Sequence, residues 1–323
     1  MSCRPLERSL HLRCRQMAIM NSGIFFAVLD PLFWGLADIS HKYIISHKIR
    51  NGMSYLVIWG GVQLAAGILL VSFLDWRGVT FTALLFPFFS GLLYGIESFL
   101  YITILKTEEV SHVLGFIYLY PAVTALLSWV FLNEVHGPVT YAGVLLVIIG
   151  VTFLSIKLGR QGITLKIFGL LLLIGTMIGV HVFLVKMATI RLGELQGISI
   201  DIIALGATMM LPLFSASVRH SVPRDVRHLP WVLLGNVELL GLACGYFAMA
   251  RLPATIVSSI GALQIVVVVI FEHFLGRDAG GSNNYFGEKR LFPKLIPLSI
   301  IMAGVSMISS QELYSMIMIA YRQ

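Results

Sequence analysis

Ten apolar runs fill this chain, at about 21–42, 53–74, 80–105, 109–132, 138–157, 165–189, 196–217, 229–250, 253–275 and 293–314. Crossing the hydrocarbon of a bilayer takes about 20 such residues per helix. Lipid offers no partner to an open backbone N–H or C=O, so each run is expected to be helical and sheet is expected to be absent. A barrel would need short alternating segments, and these runs are continuous. Composition agrees. The chain is 57% hydrophobic and only 12% charged, whereas a soluble domain carries about 25% charged residues. The fold class expected is an all-α integral membrane protein of ten transmembrane helices, with the lipid bilayer as its main partner. The net charge of +7 does not point to nucleic acid, because the positive residues lie in short loops and at the ends, as membrane topology demands.

The pattern occurs twice. Gly35 and Lys42 are echoed by Gly179 and Lys186, and Tyr101 to Lys106 by Tyr246 to Arg251. Phe131-Leu132-Asn133-Glu134 is echoed by Phe274-Leu275-Gly276-Arg277, and Gly150-Val151 by Gly304-Val305. Five helices is an odd number, so two successive copies must insert with opposite orientation. Such inverted repeats are the sequence mark of secondary transporters, whose site lies between the halves near the bilayer midplane. The expected division is a basic tail over 1–18, a first repeat over 19–157, a linker over 158–164, a second repeat over 165–314 and a tail over 315–323. A turn-rich insertion at 276–290 is expected to be a surface loop.

The N-terminal arginines (Arg4, Arg8, Arg13, Arg15) resemble a signal-peptide start. The run that follows contains Asp30, Pro31 and Asp38 and no small-residue cleavage site, so it is expected to be a retained first helix; Met17 and Met20 are alternative starts. Cys3, Cys14 and Cys244 cannot form a disulfide framework, and Cys244 is expected in the core. Glycines one turn apart (Gly91/Gly95, Gly175/Gly179, Gly241/Gly245) allow close helix approach, within one bundle or in a homodimer. Pro31, Pro87, Pro121 and Pro212 are expected to kink or end helices.

On these landmarks the chain resembles the EamA-type domain of the drug/metabolite transporter superfamily. They are the Trp-Gly…Lys of the first helix, Pro121 followed by Phe-Leu-Asn-Glu, and Gly143…Gly150-Val151, over about 20–310 as two domains. The resemblance implies a carrier of small organic solutes, with a central cavity lined by helices 1, 3, 4, 6, 8 and 9. The second copy departs from the pattern: Arg277 stands where Glu134 stands, Gln264 stands for Pro121, and an insertion follows.

Ionisable groups inside a membrane usually face a cavity or one another. Asp30, Trp34 and Asp38 share one face of helix 1, as Tyr94, Glu97 and Tyr101 do of helix 3. Glu97 is the foremost candidate. A carboxyl there can bind a proton in one state and release it in another, or pair with a cationic group of a substrate. Glu238 lies at a mirrored depth and is the second proton-coupling candidate. Lys186 and its counterpart Lys42 offer cations, or snorkel to the interface. His181 titrates near neutrality. Tyr101, Tyr118, Tyr246 and Gln264 complete the expected substrate site, with Tyr118 preferred over Tyr120. Asp201 and Asn236 are further polar groups, and Glu134 and Glu272/His273 read as boundary residues near the membrane surface. Both signs of charge and many aromatics suit an amphoteric or aromatic metabolite.

No phosphate-binding Gly-x-x-x-x-Gly-Lys-Ser/Thr, Gly-x-Ser-x-Gly or His-Glu-x-x-His motif occurs, and the histidines lack metal-ligand spacing. No catalytic residue, cofactor or metal is expected. The reading is a secondary active carrier of a small-molecule substrate, monomeric or homodimeric, in the plasma (bacterial inner) membrane. A membrane-embedded enzyme and a non-transporting subunit are the alternatives. Lys and Arg concentrate in the odd-numbered loops, which places those loops in the cytoplasm; the resemblance implies the opposite, with both termini inside.

Overall fold

A computed structural model describes residues 4–106, 110–134, 137–157, 165–278 and 292–322. These form helices α1 (Arg4–His47), α2 (Gly52–Ser72), α3 (Phe81–Leu105), α4 (Val110–Ile117), α5 (Tyr120–Leu132), α6 (Pro138–Lys157) and α7 (Leu165–Arg191). The chain continues through α8 (Glu194–Met209), α9 (Ala216–Asp225), α10 (Leu229–Gly235), α11 (Glu238–Met249), α12 (Ala254–Gly261), α13 (Leu263–Asp278) and α14 (Phe292–Arg322). No strand occurs among the described residues. Seven helical stretches among them are long and apolar enough to cross a membrane. Three shorter apolar helices, Tyr120–Leu132, Pro138–Gly150 and Leu295–Ser310, fall on the fourth, fifth and tenth expected runs. Large apolar side chains such as Phe25, Phe73 and Phe214 stand exposed around the bundle, as a surface facing lipid requires. The chain is an integral membrane protein.

The ends depart from expectation. α1 starts at Arg4 and runs through most of the expected tail. Pro5 sits in its first turn, where the missing N–H costs nothing, and no glycine or proline follows before Gly23. α14 likewise runs on to Arg322. α13 extends to Asp278, past Gly276 and Arg277 at the start of the expected loop. The rest of that loop and the linker 158–164 lie outside the described residues.

Four expected runs are broken; the eighth breaks at Asn236-Val237 between α10 and α11, and prolines account for two of the others. The fourth is divided between α4 and α5, where Pro121 enters the first turn of α5 and withholds the N–H that would continue α4. The seventh ends α8 in a short 3₁₀ turn over Leu211–Phe214 that contains Pro212. The ninth breaks at Ala262, between α12 and α13. Asn133 ends α5 in the left-handed conformation (φ 53°), with its N–H on the Ser128 carbonyl. Asparagine tolerates that conformation better than most residues, which accounts for the Asn of Phe-Leu-Asn-Glu. At the start of α2, the Asn51 side chain accepts the Met53 N–H at 3.0 Å, an N-cap.

Several contacts come in matched pairs. A Cβ on Gly35 would lie 2.8 Å from Val267 and 3.4 Å from the Gln264 carbonyl; one on Gly179 would lie 2.6 Å from Val123 and 3.0 Å from the Tyr120 carbonyl. Packing thus pairs Gln264 with Tyr120, one residue from the Pro121 that sequence alignment suggests. Lys42 Nζ donates to the Leu105 carbonyl at 2.6 Å. Lys186 Nζ donates to the Met249 and Leu252 carbonyls at 2.7 and 2.8 Å. Each lysine closes the C-terminal end of a helix, α3 or α11, where cations are favoured.

The tightest helix crossing is α3 on α8. A Cβ on Gly91 would fall 2.0 Å from the Asp201 carbonyl oxygen, whereas one on Gly61 would meet nothing within 4 Å. Backbone cannot yield as a flexible side chain can. Gly91→Ala is therefore expected to lower stability by at least about 1–3 kcal/mol, the usual cost of overpacking. Gly61→Ala should stay within about 0.5 kcal/mol of the parent. Thermal unfolding of the purified proteins in detergent compares the two.

Candidate functional site

A cavity opens among α1, α3, the α4–α5 break, α7, α11, α12 and α13, with Trp59 of α2 at its edge. Its volume, counted as space open to water-sized molecules, is about 130 Å³, several times what one water requires. Of the residues expected from sequence, Trp34, Asp38, Tyr94, Glu97, Tyr101, His181, Tyr246 and Gln264 line it. Three stand elsewhere. Lys186 is turned to the end of α11. Tyr118 is buried with its hydroxyl 3.4 Å from the Gly261 carbonyl, and the wall carries Tyr120 in its place. Glu238 lies behind His41 and Trp59.

The breaks shape the middle of this cavity. Where α12 stops, its last carbonyls lose their helical partners. Tyr120 donates its hydroxyl to the Ser258 carbonyl at 2.9 Å, and Tyr118 reaches Gly261. Two tyrosines beside one helix break thus satisfy carbonyls exposed at the other. A Cβ on Gly261 would collide with the Tyr120 hydroxyl at 2.2 Å. Thr124 of α5 adds a hydrogen bond to the Gly179 carbonyl of α7 at 3.3 Å.

Buried acids organise the rest. Asp38 accepts the Tyr101 hydroxyl at 2.6 Å and the Gln264 amide at 2.5 Å, which joins α1 to α3 and α13. Asp201 of α8 accepts the Tyr246 hydroxyl at 2.6 Å and the Ser90 hydroxyl at 3.2 Å, joining α11 and α3. Glu238, at the first turn of α11 where the helix dipole favours a negative group, takes three partners. His41 Nε2 lies 3.0 Å from its Oε2, and Trp59 Nε1 and Gln63 Nε2 both donate to its Oε1. His41 Nδ1 in turn meets the Tyr55 hydroxyl, and its ring lies 4.3 Å from that of Trp59. Asp30 accepts the Trp34 indole N–H at 2.9 Å.

His181 has a defined tautomer. Its Nδ1 stands 2.9 Å from the Ser90 hydroxyl and 3.3 Å from the Ser90 carbonyl. A carbonyl only accepts, so Nδ1 carries the hydrogen, and no described residue partners Nε2. Tyr94 lies between Trp34 and His181, with ring centroids 5.7 and 5.0 Å away.

Glu97 stands apart. It is 3% exposed and lines the cavity, and no described residue gives it a hydrogen bond. Buried polar groups are nearly always satisfied, so a carboxyl without a donor inside a cavity is a place for something the protein itself does not supply.

Sequence reasoning missed His41, Tyr55, Trp59 and Gln63. The signal was present in part: Tyr55, Trp59 and Gln63 recur every four residues, one polar stripe on an otherwise apolar helix.

Comparison with known proteins places the class. Residues 21–156 match the family model described as the EamA-like transporter family. That match covers less than half of the chain; together with the many apolar helices it is consistent with a multi-pass membrane protein of the EamA type. The sequence matches no curated protein. A solved structure titled "Crystal structure of protein" is similar in fold, with a TM-score of 0.56 and 17% identity, over 92% of this chain and 98% of that one.

The hydrogen-bond pattern gives a direct test of structure. Tyr246→Phe keeps the ring but leaves buried Asp201 short of a donor, which costs about 1–3 kcal/mol. Tyr94→Phe removes a hydroxyl that no described residue partners and should stay within about 0.5 kcal/mol of the parent. Denaturant or thermal unfolding in detergent reads both.

Proposed function

We propose that this protein is a secondary active transporter that moves a small organic solute through the central cavity by alternating access between two inverted five-helix halves. The observation that carries the reading is Glu97, a buried carboxyl on the cavity wall to which no described residue gives a hydrogen bond. The match to a transporter family supports the class, since members of that family are carriers rather than enzymes. The matched contacts of Gly35 with Gly179, and of Lys42 with Lys186, support the pairing of the halves. The two helix breaks support a mid-membrane site, because irregular backbone is tolerated there only where it lines a cavity or is buried in protein. α4–α5 and α12–α13 are then the elements that rock, hinged at Pro121 and Ala262.

Energy comes from the solute's own gradient, from exchange, or from a proton. Of the two carboxyls singled out for protons, Glu238 is held by His41, Trp59 and Gln63 and stands off the wall. Coupling therefore falls to Glu97. The Ser90 hydroxyl beside His181 gives its hydrogen to Asp201, and Nδ1 of His181 carries its own, so His181 is not placed as a base for Ser90, which weighs against a membrane-embedded enzyme.

Two measurements test this. A thermal-shift screen of the purified protein against a metabolite panel, repeated across pH, finds solutes that bind the native state and raise its stability by mass action. Each hit is then followed into proteoliposomes carrying a pH-sensitive dye. The expected result is saturable uptake with a matching proton movement, and in Glu97→Gln a loss of flux of at least about tenfold, equivalent to 1.4 kcal/mol. Unchanged, proton-coupled flux in that variant removes Glu97 from the mechanism, and no flux for any hit removes the carrier reading.

A further inference from the structure

The donors of the cavity are already committed to the cavity's own acceptors. Trp34 gives its indole N–H to Asp30 and Trp59 gives its own to Glu238. Tyr101 and the Gln264 amide give to Asp38, and Tyr246 gives to Asp201. Tyr120 gives to a backbone carbonyl, as do Ser98 and Ser258. His41 has both ring nitrogens engaged, by Glu238 and Tyr55. Among the described residues no lysine or arginine side chain lines the space; Lys42 and Lys186 close helix ends instead. Tyr94 keeps a hydroxyl that can give or accept.

What remains for a ligand is therefore a set of acceptors: the Glu97 carboxyl, the second oxygen of Asp30 and Nε2 of His181. Around them stand the faces of Trp34, Tyr94 and Tyr101, which attract a positive charge. An anion finds no cation here, and a carboxylate finds no row of N–H groups. A protonated amine fits on both counts, because it brings charge to an unpaired carboxyl and N–H donors to unpaired acceptors, and charge-assisted hydrogen bonds of this kind are the strong ones.

The geometry points to a solute that carries a protonated primary or secondary amine and no carboxylate, with the ammonium on Glu97 and the apolar body against the aromatic wall. This rests on the carrier reading of the same cavity and narrows the amphoteric solute expected from sequence, because both lysines that would receive a carboxylate are turned away.

The test is an isosteric series on the full-length protein at pH 7.5: 3-phenylpropylamine, its N,N,N-trimethyl derivative, 3-phenylpropanol and 3-phenylpropionate. Affinity is read from ligand-dependent thermal stability in detergent, and transport from proteoliposome uptake. The amine should bind at least about tenfold more tightly than the alcohol, one such factor being 1.4 kcal/mol. The propionate should not bind measurably, and the trimethyl compound, which keeps the charge but lacks N–H donors, should fall between. Glu97→Gln should bring the amine down to the level of the alcohol; its ligand-free melting temperature checks its fold, and the wild-type series decides independently if that variant is unstable. Propionate or alcohol binding as tightly as the amine overturns the amine assignment while its uptake leaves the carrier reading standing. Amine binding unchanged in a folded Glu97→Gln overturns the assignment of the ammonium to Glu97. Failure of every member to bind, with flux for solutes of the metabolite panel, overturns the amine class alone; failure of both overturns the two readings together.

Discussion

Every part of this structure answers to one constraint: inside lipid, a backbone N–H or C=O without a partner has no water to turn to. That makes each span a helix, and it makes each interruption conditional on a replacement donor. At the end of α12 the replacement comes from Tyr118 and Tyr120, which stand beside the break between α4 and α5. The two breaks hold each other open. Without the Tyr120 hydroxyl on the Ser258 carbonyl, α12 would gain by running straight into α13, and the cavity between them would close. The glycine at 261 belongs to the same solution, since only the absence of a Cβ lets the tyrosine reach.

The same scarcity of water governs the acids. Apolar side chains gain nothing by leaving lipid for one another, so helices associate through close packing and hydrogen bonds between polar groups. Asp38, Asp201 and Glu238 each collect donors from two other helices. Three carboxyls thereby cross-link α1, α2, α3, α8, α11 and α13. This is a structural role for residues that, read from sequence, all look equally like transport machinery. Each also withdraws a tyrosine hydroxyl, an indole or an amide from the space where a solute would sit.

Much of this was legible in the sequence because lipid imposes long, uniform runs. The starts of α2, α3, α6 and α7 fall within a residue of the expected runs, since Asn51, Thr80, Pro138 and the apolar onset at Leu165 mark them. The cavity wall was legible in eight residues, because polar and aromatic groups on one helical face stand out against leucine and valine. Partnership was not legible. Glu97, Glu238 and Asp201 are each one acid in an apolar run, and which of them receives donors depends on helices from 45 to 197 residues away. The same long-range dependence turned Lys186 from a candidate anion receptor into a helix cap. The ends of α1, α13 and α14 run past the expected runs for a different reason: the arginines of the first residues do not break a helix, and a single glycine such as Gly276 costs a helix only about 1 kcal/mol.

A buried carboxyl to which no described residue gives a hydrogen bond is an arrangement that stability alone does not favour. Asp38 without Tyr101 and Gln264 would be in the same position, and the fold supplies both partners. For Glu97 no described residue supplies one, although Tyr94 and Tyr101 lie one turn away on the same helix. Isolated charge in such a place is untenable, so the group holds a proton or meets a cation brought from outside. These two occupants exclude each other at one carboxyl. The affinity of the cavity for a cationic solute and its affinity for a proton are then linked through a single site, and by thermodynamic necessity each weakens the other equally. On the carrier reading proposed above, this linkage at Glu97 is what would exchange one for the other across the membrane.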